Sequence, residues 1–325
     1  MRAEVYTSER GPEWDEFVRA SKNGTFLFLR GYMDYHRHRF TDESLMIRDD
    51  DGRLLALLPA SRHGATVASH RGLTYGGFVT DATMKTPRML ELFECVLAFL
   101  KGRGVAALEY KTIPHIYHRL PAEEDRYALF LANASVTRRA LLTVVRADER
   151  PVPQERRLRG ARRARQHGLS VGPSSDLAAY WQVVTDRLRA SHDTTPVHTL
   201  REIQALYERF PEHMKLFACR TPEGEMVAGV LVYESARVAH CQYVAASDRG
   251  LEMQALDLLF TELLGGEYAT KPYFDFGTSD EEDGRALKQG LVEQKEGFGA
   301  RAVVHDHYRI DLERFSAGAL VKALS

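Results

Sequence analysis

The run Tyr273–Arg301, YFDFGTSDEEDGRALKQGLVEQKEGFGAR, gathers acids, a hydroxyl, a lysine and glycines near the C-terminal end. Asp275 lies on a short aromatic strand, and Gly277, Ser279 and Glu281 lie on the turn behind it. A helix is expected to follow, ending in Lys295 and Gly297-Phe298-Gly299. Side chains of these types are poor core material. At a strand-to-helix junction they suit a polar ligand: a carboxylate takes or orients a proton, a hydroxyl donates, and an ammonium holds an anion. The plainer reading of Asp275 is a cap for its own turn. No base is assignable to Ser279, which reads as a hydrogen-bond donor rather than a nucleophile.

Other clusters carry weaker chemistry. His198, in PVHT with Thr199 as a candidate N-cap, is an acid–base group or a histidine bonded to backbone. Tyr243 offers a phenolic donor on a strand, or fills a core. In SHRGLTYGGF, Ser69, His70, Arg71, Tyr75, Gly76 and Gly77 combine polar groups with glycines that let backbone approach a ligand closely. Tyr35, His36, Lys111, Tyr117 and His118 are grouped with them. The histidine pairs of HRHRF and HIYH lack metal-site spacing and company, so no metal is expected. The run Glu155–Gly168, ERRLRGARRARQHG, places Arg159, Arg162 and Arg163 among six arginines on one short helix. Arginine forks suit phosphate, of tRNA or of a nucleotide-linked acceptor, although a solvated face is the common fate of a charge run.

The elements that must position these groups follow from pattern. A strand is expected over Ala3–Thr7, a helix over Glu13–Ala20, and a second helix from Arg30 through Tyr35 and His36. Two short strands, Ser44–Arg48 and Leu54–Ser61, flank the hairpin signal Asp49-Asp50-Asp51-Gly52. Apolar residues at helical spacing fill Thr86–Arg103 before the capping Gly104, and a buried strand follows over Val105–Tyr110. Past a linker at Arg150–Pro153 come the basic helix, helices at Leu177–Ala190 and Leu200–Arg209, and three strands between Met214 and Ala245. A helix at Gln254–Leu264 and the strand Tyr273–Phe276 complete the order. Helix, hairpin, helix, strand occurs in both halves, so two domains are expected, 1–149 and 150–325.

Bulk composition restricts the function class. The 325 residues are 44% hydrophobic and carry a net charge of −1 within 27% charged residues, which gives no overall attraction to polyanions. The charged N-terminus lacks a signal-peptide pattern, and no window approaches a membrane span. Cys95, Cys219 and Cys241 are scattered and fit neither a zinc site nor a disulfide framework. A cytoplasmic protein without an integral membrane segment is expected. Nothing in the pattern indicates an oligomeric state.

Paired α/β halves in this order resemble the tandem GNAT fold of the Fem-type (FemAB-like) aminoacyl and peptidyl transferases, and of GNAT relatives associated with surface-polysaccharide loci. The resemblance is carried by Gly24–Phe40, Ser69–Val79, Ile113–Phe130, Pro196–Ile203 and Tyr273–Arg301. It implies two domains of mixed, mainly antiparallel sheet flanked by helices. It also implies acyl or aminoacyl transfer to an amine of a nucleotide- or lipid-linked sugar or peptide acceptor. Residues 1–149 would bind the acceptor through the Ser69–Gly77 cluster, and 150–325 the donor. Asp275 or His198 would take the proton of the amine, Tyr243 would face the acyl group, and Lys295 would meet substrate phosphate, although Gln294 stands where Fem enzymes carry an aromatic. A single-domain GNAT holds the CoA pyrophosphate on a glycine-rich loop; AASDRGLEMQA offers only Arg249 and Gly250 there. The co-substrate is thus acyl-CoA or aminoacyl-tRNA, with no tightly bound cofactor. The alternatives are an acetyl-CoA-dependent N-acetyltransferase of an amino sugar or other small amine, and a non-catalytic RNA-binding module.

Overall fold

A computed structural model describes residues 1–192 and 194–324, with the side chains of His36, Ser191 and His192 outside the described set. The chain begins β1 (Arg2–Val5), α1 (Gly11–Ala20), α2 (Arg30–Met33), β2 (Thr41–Asp42), β3 (Leu45–Arg48), β4 (Leu54–Leu58), β5 (Ser61–His63) and β6 (Thr66–Ala68). Then come β7 (Val79–Thr80), α3 (Thr86–Gly102), β8 (Ala107–Lys111), α4 (Glu124–Leu131), β9 (Ser135–Arg146), α5 (Glu155–Gln166), β10 (Ser170–Ser174) and α6 (Leu177–His192). It continues with α7 (Leu200–Arg209), β11 (Met214–Arg220), β12 (Met226–Glu234), β13 (Val238–Ala246), α8 (Asp248–Glu252) and α9 (Ala255–Gly265). Last are β14 (Tyr273–Thr278), β15 (Asp280–Glu281), β16 (Ala286–Leu287), α10 (Gln289–Glu296) and β17 (Arg301–Asp311). Contacts divide the chain into two units, Met1–Ala140 with Glu282–Arg285 and Val304–Ser325, and Leu141–Glu281 with Ala286–Val303. This differs from a cut at 149/150: residues 141–149 group with the second unit, and the chain from Val304 groups with the first.

In the first unit β1, β3, β4 and β7 form an antiparallel sheet. The β3–β4 hairpin turns at Gly52, whose φ of 84° relieves the left-handed position of steric cost. Strands β6 and β8 run parallel, and β8 pairs antiparallel with β17. Helix α3 packs Met89, Leu90, Phe93, Val96, Leu97 and Leu100 into the core of this unit. The helix expected through His36 is shorter: α2 stops at Met33 and tightens into a 3-10 turn, Asp34–His36.

In the second unit β10, β11, β12 and β13 form an antiparallel meander, β13 meets β14 in parallel, and β14 pairs antiparallel with β9. Helix α9 lays Leu259, Phe260 and Leu263 on one face of this sheet, against Val230, Val232, Phe274, Phe276 and Phe298. Helix α5 packs Ala161 and Ala164 beside it. Tyr180 of α6 comes so close to Gly229 that a Cβ there would lie 2.7 Å from its ring. Helix α7 starts on a reciprocal capping box between Thr199 and Glu202. After β14 the chain makes the β15–β16 hairpin, with Glu282 and Asp283 at φ 50° and 55°, and α10 begins only at Gln289. In each unit a helix joins two parallel strands, β6 to β8 through α3 and β13 to β14 through α8 and α9. The two mixed, mainly antiparallel α/β units follow the same plan.

Candidate active site

Strands β13 and β14 pair over three residues only, Val238 with Tyr273, Ala239 with Phe274 and His240 with Asp275. At the last of these pairs a histidine and an acid stand side by side. His240 Nδ1 lies 2.9 Å from Asp275 Oδ2, and the Gly277 amide donates to Asp275 Oδ1 at 2.7 Å. Asp275 is fully buried, whereas the His240 side chain keeps 12% of its surface. Of the two groups the imidazole is the one with surface to offer, and the acid is enclosed behind it. His240 was missed in the sequence because its only signal, a histidine on an apolar strand, acquires meaning when β14 sets Asp275 opposite it.

Lys295 reaches back from α10 to the turn that follows β14. Its ammonium donates to Gly277 O at 3.1 Å, Thr278 O at 2.7 Å and Ser279 Oγ at 2.7 Å, so all three of its hydrogens are used. Burial pulls its pKa down to about 8, against the opposing pull of Asp275. The grouping of Asp275, Ser279 and Lys295 expected from sequence is present, with the lysine fastening the turn that carries the Asp275–Gly277 bond. Glu281 lies apart, exposed and paired with Lys288 at 2.7 Å.

Further along β13, His198 and Tyr243 come together. His198 Nδ1 lies 2.6 Å from the Tyr243 hydroxyl, Tyr180 donates to the Tyr243 carbonyl at 2.8 Å, and Trp181 packs edge-on against the Tyr243 ring at 4.9 Å. The capping box of α7 fixes the chain immediately after His198. A phenol so placed can donate a proton to a departing oxygen or sulfur.

The turn from β13 into α8 is closed upon itself. Ser247 Oγ accepts from the Gly250 amide at 3.1 Å, and a Cβ on Gly250 would meet the Val227 carbonyl at 2.1 Å. Arg249 pairs with Glu225 and, at 3.6 Å, with Glu223. Glycine is thus required at 250 for packing, and the Arg249 guanidinium is shared with two acids of the protein. On α5, Arg162 pairs with Glu155, Arg165 with Glu262 and Arg157 with Asp257, while Arg156 bonds the Glu293 carbonyl. Arg159 and Arg163 are exposed and, among the described residues, have no acidic partner.

In the first unit Lys111 binds the carbonyls of His70, Arg71 and Leu73, and burial lowers its pKa to about 8. Ser69 Oγ receives the Lys111 amide at 2.7 Å, and Arg71 pairs with Glu109 at 2.9 Å. His70 has a φ of 54°, and a Cβ at Gly76 would lie 2.1 Å from the Ser69 carbonyl. The loop is therefore a tightly knit structure whose carbonyls are held by Lys111 of β8. Tyr75 and Tyr117 are buried 4.4 Å apart, Tyr75 donating to Thr25, and His118 bonds the Ile113 carbonyl with its pKa lowered to about 4 by burial. Tyr35 sits partly exposed beside His38, and the His36 side chain lies outside the described residues.

Residues 154–284 match the acetyltransferase (GNAT) domain model. No curated protein matches the chain. Among solved structures it is similar to FemX, with a TM-score of 0.70, 12% identity, and 96% of this chain and 97% of that one covered. L-PGS from Bacillus licheniformis aligns at TM-score 0.60 and 14% identity, over 98% and 96%. A tandem GNAT protein from the clavulanic acid biosynthesis pathway aligns at TM-score 0.50 and 9% identity, over 97% and 100%. Residues 154–284 thus carry an acetyltransferase (GNAT) domain, and the chain as a whole has the tandem GNAT fold seen in FemX.

Proposed function

We propose that this protein transfers an acyl or aminoacyl group to the amine of a nucleotide- or lipid-linked sugar or peptide acceptor, forming an amide. Residues of the second unit would hold the donor, and residues of the first the acceptor. The observation that carries this reading is the end of β13–β14 pairing at the His240–Asp275 pair, with Tyr243 three residues further along β13 and His198, from the chain before α7, bonded to its hydroxyl. A proton acceptor, His240, and a proton donor, Tyr243, lie beside the point where the pairing ends. Rate would come chiefly from positioning and from stabilising the tetrahedral oxyanion.

The closed β13–α8 turn favours aminoacyl-tRNA over CoA as the donor carrier, because its Gly250 amide already serves Ser247. Arg159 and Arg163 are the α5 groups available to phosphate. The family match over residues 154–284 favours the second reading, an acetyl-CoA-dependent N-acetyltransferase of an amino sugar or other small amine. Incubating the protein with acetyl-CoA or with charged tRNA, and with amine acceptors of both kinds, separates them by the mass of the amide product. A non-catalytic RNA-binding module would require the arginine run to stand free, and most of it is committed to acids and carbonyls of the protein.

A further inference from the structure

We propose that His240 is the general base of the transfer, and that a one-residue bulge in β13 sets it on the same face as the Tyr243 hydroxyl; this rests on the acyl-transfer reading. Tyr243 lies opposite Leu231 and His240 opposite Tyr233 on the antiparallel partner β12. Leu231 and Tyr233 are two residues apart and therefore share a face, so their partners share it too. In an unbroken strand His240 and Tyr243, three apart, would point to opposite faces. The register shifts between Leu231 and Val232, leaving Gln242 as the extra residue that brings them to one side. Their spacing along the strand is then about 7 Å, two strand steps, which is room for a reacting carbonyl between them.

The orientation of His240 supports the same role. Asp275 accepts from Nδ1, which leaves Nε2 as the unprotonated nitrogen, and Nε2 has no hydrogen-bond partner among the described residues. Gly277 is held at φ 75°, and a Cβ there would lie 3.5 Å from His240 Cε1, so the glycine keeps the space beside the ring open. Nε2 takes a proton from the amine as the C–N bond forms at the acyl carbon. The tetrahedral adduct collapses with loss of the C–O or C–S bond to the carrier. The leaving atom takes its proton from Tyr243, which regains one from solvent, and the imidazolium returns its own to solvent. Asp275 is a positioning residue in this scheme.

The test combines a spectroscopic and a kinetic measurement on the full chain. Nitrogen-15 NMR of histidine-labelled protein should show His240 protonated at Nδ1 alone, and D275N should mix the tautomers. With the donor that wild type uses, H240N should lower kcat about 100-fold with KM changed less than twofold, and free imidazole should restore part of the rate to H240A. A D275N variant should lose less, also in kcat. An Nε2-protonated wild-type ring, or an H240N enzyme with wild-type kcat, overturns the base assignment while leaving acyl transfer standing. A wild type that transfers from neither acetyl-CoA nor charged tRNA removes the transfer reading and the base with it.

Discussion

Lys295 shows how a single side chain can be read two ways. A lysine beside a Gly-Phe-Gly turn resembles a phosphate ligand, yet its three hydrogens are spent on Gly277, Thr278 and Ser279. Its effect on turnover should therefore be indirect. K295M should loosen the turn that carries the Asp275–Gly277 bond and lower kcat roughly 10- to 100-fold, a cost of the size that small misplacements produce, with the circular dichroism spectrum unchanged. Burial holds its pKa near 8, below the 10.5 of an unfolded lysine. Between about pH 8 and 10.5 the unfolded chain carries more protons, so this group adds stability as the pH rises, by up to about 3 kcal/mol. Melting temperatures at pH 7 and pH 9 should show wild type gaining on K295M; a constant difference would contradict the burial argument. Gly277 is as exacting: G277A forces an L side chain to φ 75° and places its Cβ against the His240 ring at 3.5 Å. It should cost about 1 kcal/mol of stability and a larger share of activity, measured by urea unfolding and by initial rates.

At the scale of elements, the bulge in β13 separates two outcomes that ordinary substitutions would blur. Deleting Gln242 should restore alternation and send either His240 or Tyr243 to the far face, abolishing transfer while leaving the meander's far-ultraviolet signature. Retained activity would show that the shared face is irrelevant. G250A tests the β13–α8 turn: with the Val227 carbonyl 2.1 Å from the new Cβ, it should destabilise by about 1–3 kcal/mol and leave donor affinity per folded molecule unaltered. Most of these elements were legible beforehand. The hairpin at Gly52, helices α3 and α7 and the strands β11 to β14 follow apolar period and turn chemistry. The β15–β16 hairpin was not, because Glu282 and Asp283 adopt left-handed conformations that a charged run does not advertise. The His240–Asp275 pair was half legible: Asp275 stood out by its neighbours, but its partner is 35 residues away and joined to it only through parallel strand pairing. The cluster from Ser69 to Gly77, expected to bind the acceptor, is a close-packed turn whose carbonyls are held by Lys111 of β8; that lysine lies some forty residues on in sequence, so the turn's packing was not legible from its own residues.

For the molecule as a whole, the two α/β units repeat one plan, and each contains a largely buried lysine that binds backbone. Lys111 fastens a loop after β6 and Lys295 a turn after β14, each through three oxygen acceptors. Charge is balanced overall, so any hold on a carrier must be local. If charged tRNA is the donor, reversing Arg159 and Arg163 to Glu should weaken its binding and reduce the slope of log affinity against log salt by roughly 2, whereas acetyl-CoA binding should not respond. The most direct test of the central claim is titration calorimetry of the purified protein with acetyl-CoA and, separately, with aminoacyl-tRNA. An acyl-transferase with its donor site in the second unit predicts saturable, stoichiometric binding of one of them, with charged tRNA favoured by the closed turn at Gly250. Binding of neither would contradict the account.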